Sequence, residues 1–335
     1  MSLWSVIALY IAGMIGAGFA SGQELVVFFV SYGKQGLAGI ALTISLLTLG
    51  TALILEVCAR HNISSYAELF SLFGPSVAKA FDWLYSVFLL IGTSVMLAGI
   101  GAQGSTALPK LMLQFGTVLL ILAALYKGAV GVSKVSAYLA PCLVIILCAL
   151  TFEYLPGVGE RLLDQDSWAS LDAGTLYASY NLGFSLAVLA SVQPYLKTKK
   201  ERWIAVLVGN LVLGTSMVLL FLALSTLGQD GLQSAFPLRE LVVSRGPLAI
   251  RVYQVMLWGS MYSTALAHLL ALVSRMQSLA HMTWGKATLL ATGASLALSH
   301  LGFGPLIRIA YPILGLAGLW ILANLGRILL FDRKA

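Results

Sequence analysis

The sequence predicts an all-α integral membrane protein with about ten transmembrane helices. Of its 335 residues, 59% are hydrophobic and only 10% are charged, whereas a soluble domain carries about 25% charged residues. Apolar runs of about twenty residues recur along the chain, which is the length that a helix needs to cross the hydrocarbon core of a bilayer. Because backbone groups in lipid must bond within the chain, helices fit these runs, and the shorter alternating strands of a barrel do not.

Ten candidate spans follow from this length criterion. They cover residues 4–32, 36–60, 79–106, 109–126, 135–152, 174–196, 203–227, 247–275, 284–300 and 305–330. Of the 20 Lys and Arg residues, 13 fall on the side of the membrane that holds the N-terminus and seven on the other side. Cationic loops are retained in the cytoplasm, so we expect a multi-pass protein of the inner (cytoplasmic) membrane with both termini in the cytoplasm.

The net charge of +7 therefore indicates membrane topology. The cationic residues lie in short loops between apolar runs and form no cluster on a soluble domain, so nucleic-acid binding is not expected. The expected surroundings of this chain are the lipid bilayer.

The first span contains an unusual run of small residues at its centre. Residues 11–19 read IAGMIGAGF, with Gly13, Gly16 and Gly18 within six positions. Glycine costs about 1 kcal/mol against alanine inside a helix, although membrane helices tolerate it better. Close packing of helices is one explanation. The other is an unwound segment that lines a binding cavity, and the polar residues 21–24 favour it because polar groups are costly within a membrane.

Span six has a matching concentration of polar and small residues in its first half. They are Tyr177, Ser179, Tyr180, Asn181, Gly183 and Ser185. Interrupted helices at corresponding positions of two halves are typical of secondary transporters, so we expect helices 1 and 6 to be discontinuous. The expected organisation is a first repeat (1–152, helices 1–5), an extracytoplasmic linker (153–172) and a second repeat (173–335, helices 6–10). Five spans in each half make the two repeats inverted relative to one another.

The pattern in the first span resembles that of a known transporter superfamily. The residues that carry this resemblance are Gly13, Ile15, Gly16, Ala17, Gly18 and Phe19. They are similar to the first-helix G-x-I-G-x-G-F pattern of the amino acid, polyamine and organocation superfamily, which shares the LeuT fold. The longer run GAGFASGQE at residues 16–24, followed by Phe28, Phe29, Tyr32 and Gly33, is similar to the YkvI-type membrane proteins within it. The resemblance implies a substrate site between helices 1, 3, 6, 8 and 10.

Many members of this superfamily also bind sodium between helices 1 and 8. The resemblance implies two helix-1 carbonyls three residues apart, with a carbonyl and two hydroxyls from helix 8. The matching residues are Ala12, Ile15, Ser260, Ser263 and Thr264. Alternatively, the hydroxyls bond only to carbonyls of their own helix. A proton-coupled relative is expected to place a lysine or another titrating group near this site, and span five has no lysine in its interior.

The implied function is transport of a small amino acid or a related nitrogen-containing solute by alternating access, coupled to sodium. Backbone amides of residues 16–19 would hold a solute carboxylate, and carbonyls of residues 180–183 a solute amine. The expected substrate-binding residues are Gly16, Ala17, Gly18, Phe19, Gln23, Glu24, Thr93, Tyr180, Asn181, Gly183 and Tyr262. No organic cofactor and no obligate protein partner are expected.

Two other functions stay open: a proton-coupled transporter or exchanger, and a non-transporting ligand receptor on the same scaffold. An enzyme is not expected, because the chain has no HExxH helix, no glycine-rich phosphate loop and no paired intramembrane aspartates. Glu24 could face the outer vestibule, bind a cationic group of the solute, or carry a coupled proton.

A few other residues have alternative explanations. Glu56 and Arg60 have the four-residue spacing of an ion pair on a helix. His268 is expected to be a hydrogen-bonded packing residue, although a histidine can also titrate near neutral pH. Trp258 and Tyr311 either line the cavity or pack helices.

Overall fold

The computed structural model describes residues 1–104, 106–157, 168–234, 236–301, 315–316 and 318–328. Every regular element in these residues is a helix. The α-helices are α1 (Leu3–Met14), α2 (Ala17–Ser21), α3 (Gln23–Phe28), α4 (Gln35–Arg60), α5 (Tyr66–Ser71), α6 (Pro75–Ala102), α7 (Ala107–Tyr126), α8 (Gly128–Thr151), α9 (Ala169–Val192), α10 (Lys199–Leu224), α11 (Gln229–Gln233), α12 (Pro237–Val243), α13 (Pro247–Ala280) and α14 (Trp284–Ser299). Residues 318–328 are also helical.

Seven of these helices are long and apolar enough to cross a membrane. They are α4, α6, α7, α8, α9, α10 and α13, and they match predicted spans two to eight in order. Span nine corresponds to the 16-residue α14. Most of span ten lies outside the described residues, including Tyr311. The prediction of an all-α membrane protein is confirmed, while the count of ten spans and the two inverted repeats stay predictions.

The first span is broken, as its glycines predict. Helix α1 ends at Met14, Ile15 has φ −83° and ψ 76°, and Gly16 is extended with φ −86° and ψ −171°. A second turn occurs at Gly22, whose φ of 83° lies in the left-handed region that favours glycine. The span thus consists of three short helical pieces, α1 to α3.

Helix 6 differs from the prediction, because α9 is one uninterrupted α-helix from Ala169 to Val192. Two of its polar side chains bond to carbonyl groups of their own helix: Asn181 Nδ2 donates to Tyr177 O at 2.9 Å, and Ser185 Oγ donates to Leu182 O at 3.2 Å. The helix also contains no proline. The expectation of a discontinuous helix 6 was therefore wrong.

A side chain from α6 nevertheless bonds to two backbone groups of α9. Tyr85, from α6, donates its hydroxyl to Gly183 O at 2.7 Å and accepts from the Ala187 N–H at 3.1 Å. In an undisturbed α-helix those two backbone groups pair with each other. A side chain inserted in this way is one of the recognised causes of a local opening in a helix.

Helices α4 and α9 meet at glycines. An added Cβ at Gly174 would lie 2.6 Å from Gly39 O, so only glycine permits this approach. Thr43 Oγ1 donates to Gly174 O at 3.0 Å, and Ser170 Oγ donates to Gln35 O at 2.7 Å. These contacts fix α9 against α4 on one side of the central site.

Helix α1 runs through the interior of the bundle. Its residues from Val6 to Ala12 are buried. Tyr10 donates to Asn210 Oδ1 on α10 at 3.0 Å, and its hydroxyl lies 3.1 Å from Thr51 Oγ1 on α4. The end of α1 is thereby held in place immediately before the break.

The predicted ends of the bundle carry ion pairs. Glu56 pairs with Arg60 (3.4 Å), as the spacing predicts, and also with Arg202 of α10 (3.1 Å).

The predicted linker covers residues 153–172. Of these, residues 158–167 lie outside the described part of the chain, and α9 already begins at Ala169. Glu153 forms a 2.9 Å ion pair with Arg245, which follows α12.

Candidate functional site

Five oxygen atoms converge where the first span breaks. Thr264 Oγ1 lies 3.3 Å from Ala12 O and 3.4 Å from Ile15 O. Ser263 Oγ lies 3.3 Å from Ala12 O and 2.9 Å from Ser260 O. All five residues are at most 3% exposed. These are the residues that the resemblance assigns to sodium, and the fold brings their oxygens together.

The backbone break frees the two carbonyls of this cluster. The Gly16 amide, the usual partner of Ala12 O in a continuous helix, instead donates to Met14 O at 3.0 Å. Ile15 itself is in a non-helical conformation. Gly16 lies against α13, since an added Cβ there would be in van der Waals contact with Thr264 Oγ1 at 3.8 Å.

The spacing of these oxygens suits a hard cation. Hydroxyl hydrogen bonds usually measure about 2.7–2.8 Å between oxygens, and all four distances here are longer, three of them at 3.3–3.4 Å. Calcium, an ion of nearly the same radius as sodium, takes oxygen ligands at about 2.3–2.6 Å, which places ligands at right angles about 3.3–3.7 Å apart. The arrangement is therefore chemically suited to an ion of this size.

A small central cavity of about 20 Å³ adjoins the five oxygens. Its lining residues come from α1 and the break, α3, α6, α9 and α13. They are Gly13, Met14, Gly16, Glu24, Met96, Tyr180, Asn181, Phe184, Thr264 and His268. This volume holds about one water molecule, so the cavity is closed around its own side chains.

Glu24 folds back from α3 onto the break. An added Cβ at Gly18 would lie 2.2 Å from Glu24 Oε1, so the absence of a side chain at Gly18 makes room for the carboxylate. Tyr177 donates its hydroxyl to Glu24 Oε2 at 3.1 Å. The carboxylate thus lies beside the backbone of residues 16–19, where the sequence predicted the carboxylate of a solute.

His268 lies on the cavity wall contributed by α13. Its ring stacks on Phe184 with 4.9 Å between centroids and an interplanar angle of 11°. Its side chain is buried, and both ring nitrogens have no hydrogen-bond partner among the described residues. An added Cβ at Gly92 would lie 2.7 Å from His268 Nδ1, so α6 makes room for the ring. The expectation that His268 is hydrogen-bonded was wrong, because no polar group of the described residues reaches its nitrogens, while the expectation that it packs is met by the ring of Phe184.

Four of the predicted substrate-binding residues line this cavity, namely Gly16, Glu24, Tyr180 and Asn181. Ala17 and Phe19 are buried in α2 beside it, and Gln23 begins α3. The fold does not bring every predicted residue to the cavity.

Thr93, Gly183 and Tyr262 lie elsewhere. Thr93 is fully buried and donates to Leu89 O of its own helix at 2.9 Å. Gly183 O is occupied by the Tyr85 hydroxyl. Tyr262 stacks on Trp258 with 5.2 Å between centroids, and its hydroxyl donates to Leu120 O on α7. Trp258, in turn, donates from Nε1 to Thr117 Oγ1, so it packs helices.

Met14, Met96 and Phe184 line the cavity but were not predicted. Apolar residues fill most of every span, so nothing in the sequence distinguishes the few that face the solute. Asp82 and Arg275 were not predicted as a pair either. Their ion pair joins α6 to α13, with Arg275 Nε 2.7 Å from Asp82 Oδ1.

A larger vestibule of about 520 Å³ opens at the end that the charge bias predicts to be cytoplasmic. Its residues include Met1, Tyr66, Ser191, Tyr195 and Arg275. It approaches the cavity within one helical turn, since Ala187 and Val188 of α9 and Ala267 of α13 line it. The stacked rings of Phe184 and His268 belong to the wall between the two spaces.

The sequence is similar to two proteins of Bacillus subtilis (strain 168). It is 26% identical over 322 residues to the uncharacterised membrane protein YkvI, covering 93% of this chain and 91% of that protein. It is 27% identical over 322 residues to the uncharacterised protein YyaD, covering 95% and 94%. No protein-family model matches the chain.

Two solved structures share its architecture along almost the whole chain. MhsT in complex with L-phenylalanine superposes with a TM-score of 0.61 at 18% identity, covering 96% of this chain and 88% of MhsT. The chain has the LeuT fold. Mhp1, a nucleobase-cation-symport-1 family transporter in a closed conformation with bromovinylhydantoin bound, gives a TM-score of 0.59 at 14% identity, covering 99% and 79%. The LeuT fold that the first-span pattern predicts is thus confirmed.

Proposed function

We propose that this protein is a secondary active transporter that moves a small nitrogen-containing solute by alternating access and couples this movement to sodium. The observation that carries the proposal is the cluster of five oxygens at the break. It joins the first span to α13 through oxygens alone. The two solved structures described above, of MhsT and of the transporter Mhp1, each contain a bound small molecule.

Sodium at this cluster would act as a tie between two helices. Ala12 and Ile15 belong to the first span, whereas Ser263 and Thr264 belong to α13, so an ion bound to both holds their relative position. Coupling requires that the ion bind one arrangement better than the other, by a few kcal/mol for a useful population shift. In the proposed cycle, sodium stabilises the outward-open arrangement, and solute binding then favours occlusion.

In this cycle the solute would leave the central cavity through the vestibule. The central cavity holds about one water, while the wide vestibule lies at the predicted cytoplasmic end. Phe184 and His268 stand between them, and the Asp82–Arg275 pair lies beside the vestibule. Solute release to the cytoplasm would require these rings to separate.

The test is the thermal stability of the detergent-purified protein in sodium, compared with potassium and choline. A ligand at about a hundred times its dissociation constant adds about 2.7 kcal/mol, so we expect sodium alone to raise the melting temperature. Thr264→Ala should abolish this increase. Ser274→Ala is the matched control, because Ser274 is on the same helix and its hydroxyl donates to Leu270 O of that helix at 2.7 Å.

Proton coupling is the second candidate function, and the position of Glu24 favours it. A carboxylate in the central cavity that accepts from Tyr177 has the chemistry to bind and release a proton. In that case, the melting temperature would respond to pH and not to sodium, and Glu24→Gln would remove the response. A receptor would bind solute without any ion dependence and without transport in liposomes.

A further inference from the structure

We infer that the solute is a small organic ammonium ion that carries N–H donors and no carboxylate of its own. This inference rests on the proposed transport function and names the class of solute that the central cavity selects. It departs from an amino acid, which the first-span pattern alone implies. Four features of the cavity carry it: its charge, the position of that charge, its aromatic wall and its unpaired acceptor.

The charge of the cavity is negative. Glu24 is its acidic lining residue, and none of the described lining residues is Lys or Arg. If Glu24 is ionised, an ammonium group of the solute would pair with it inside the cavity, in addition to any sodium at the adjoining five oxygens. An anionic solute would find no cationic side chain among the described lining residues, and burying a poorly paired charge is costly.

The Glu24 carboxylate lies where the carboxylate of an amino acid solute was expected to bind. In the first-span pattern, the amides of residues 16–19 are the groups expected to hold a solute carboxylate. Here Glu24 Oε1 fills the space over Gly18, within 2.2 Å of where a Cβ would lie. A second carboxylate at the same backbone would meet a like charge at short distance. The chain thus supplies its own carboxylate at that position, and an amino acid would duplicate it.

Two aromatic rings lie on the cavity wall. Tyr180 and Phe184 line the cavity, and their ring centroids are 6.2 Å apart. Tyr177, which donates to Glu24, lies 5.2 Å from Tyr180, and Phe28 packs on both tyrosines at 5.3 and 5.7 Å. Aromatic rings attract ammonium ions, so a solute ammonium beside Glu24 and Tyr180 would be stabilised by both groups.

The unpaired imidazole completes the site. His268 lies on the cavity wall with both ring nitrogens unpaired among the described residues, and it is 2% exposed. A neutral imidazole offers one acceptor nitrogen, and a buried polar group without a partner is destabilising, so a ligand with N–H donors would satisfy it. Met14 and Met96 supply an adaptable apolar wall for a short alkyl chain.

The experiment uses four probes that have nearly the same carbon skeleton and differ in charge. They are propylammonium, propionate, alanine and propionamide. Binding to the detergent-purified full chain is measured by calorimetry and by the shift in melting temperature, in sodium and in choline. We expect propylammonium to bind more tightly than the other three. Glu24→Gln should weaken it by at least about tenfold, which corresponds to about 1.4 kcal/mol.

Glu56→Gln is the matched control, because Glu56 is paired with Arg60 and Arg202 outside the cavity. This variant should bind propylammonium like the wild type. Retention of the sodium response by Glu24→Gln would show that the variant is folded. Tighter binding of alanine than of propylammonium, equal binding of propylammonium by Glu24→Gln, or no response to propylammonium in a protein that sodium stabilises would each overturn the inference.

The experiment distinguishes an error in the class of solute from an error in sodium coupling. If sodium stabilises the protein and alanine is the preferred probe, the class of solute is wrong and sodium coupling stands. If propylammonium binds through Glu24 with equal affinity in sodium and choline, sodium coupling is wrong and the class of solute stands.

Discussion

The first span and α9 carry similar sequence signals but have different structures. Both combine small and polar residues near the middle of an apolar run. The first span breaks at Ile15 and Gly16, and its freed carbonyls face hydroxyls of α13. Helix α9 continues without a break, and the Tyr85 hydroxyl bridges Gly183 and Ala187. Polar residues in a span therefore indicate a cavity wall. A break in the helix also needs another element whose polar groups bond to the freed backbone carbonyls, as α13 does for the first span.

Gly174→Ala should give the largest effect, because it tests whether α9 depends on glycine for packing. Its Cβ would lie 2.6 Å from Gly39 O, and overpacking of this kind costs about 1–3 kcal/mol. We expect a lower melting temperature by intrinsic fluorescence.

Gly183→Ala is the control on the same helix, since no atom lies within 4 Å of the added Cβ. Alanine favours a continuous helix by about 1 kcal/mol, so the melting temperature should be unchanged or slightly higher. A strong loss of stability in Gly183→Ala would show that α9 needs an open backbone there, and the contrast with the first span would disappear.

Gly18→Ala tests how the first span uses its glycines. The new methyl would occupy the place of the Glu24 carboxylate and should displace it. Affinity for propylammonium is then expected to fall by about tenfold, or about 1.4 kcal/mol, with the sodium response kept. In Gly116→Ala, on α7 and outside the cavity, nothing lies within 4 Å of the added Cβ, so both responses should persist. Equal effects of the two variants would mean that Gly18 serves only helix packing.

Tyr85→Phe should have the smallest effect. It removes one hydroxyl that bonds to two backbone groups of α9, but those groups can then pair with each other. A net loss of about 1 kcal/mol is expected, together with slower hydrogen exchange at Ala187. Tyr138→Phe, on an exposed part of α8, should change neither quantity. Faster exchange at Ala187 would show that the tyrosine holds the helix closed.

Much of the fold could be predicted because membrane helices are defined by length and polarity. The seven long helices lie where apolar runs of the right length occur, and the break lies among the glycines of the first span. Ser263 and Thr264 were assigned to the ion site through the family pattern, which fixes their spacing from the carbonyls of helix 1. In the structure, Thr264 Oγ1 lies within 3.4 Å of both Ala12 O and Ile15 O, and Ser263 Oγ lies 3.3 Å from Ala12 O.

The orientation of side chains around each helix could not be predicted. Helix α9 is buried on nearly every side, so no polar face distinguishes Phe184 from its neighbours. Tyr262 was assigned to the cavity as an aromatic residue of span eight, but its hydroxyl donates to Leu120 O on α7. The position of the unpaired His268 ring requires a glycine at position 92 of a different helix. The spacing of residues along the sequence does not show that these two residues meet.

The most direct test of the central claim is equilibrium binding of radioactive sodium to the purified protein in potassium buffer. The wild type should bind sodium saturably, with displacement by unlabelled sodium and not by potassium. The Ser263→Ala, Thr264→Ala double variant should lose this binding while Ser274→Ala keeps it. Saturable binding that survives the double variant, or no sodium binding by the wild type, would show that the five oxygens at the break do not form an ion site.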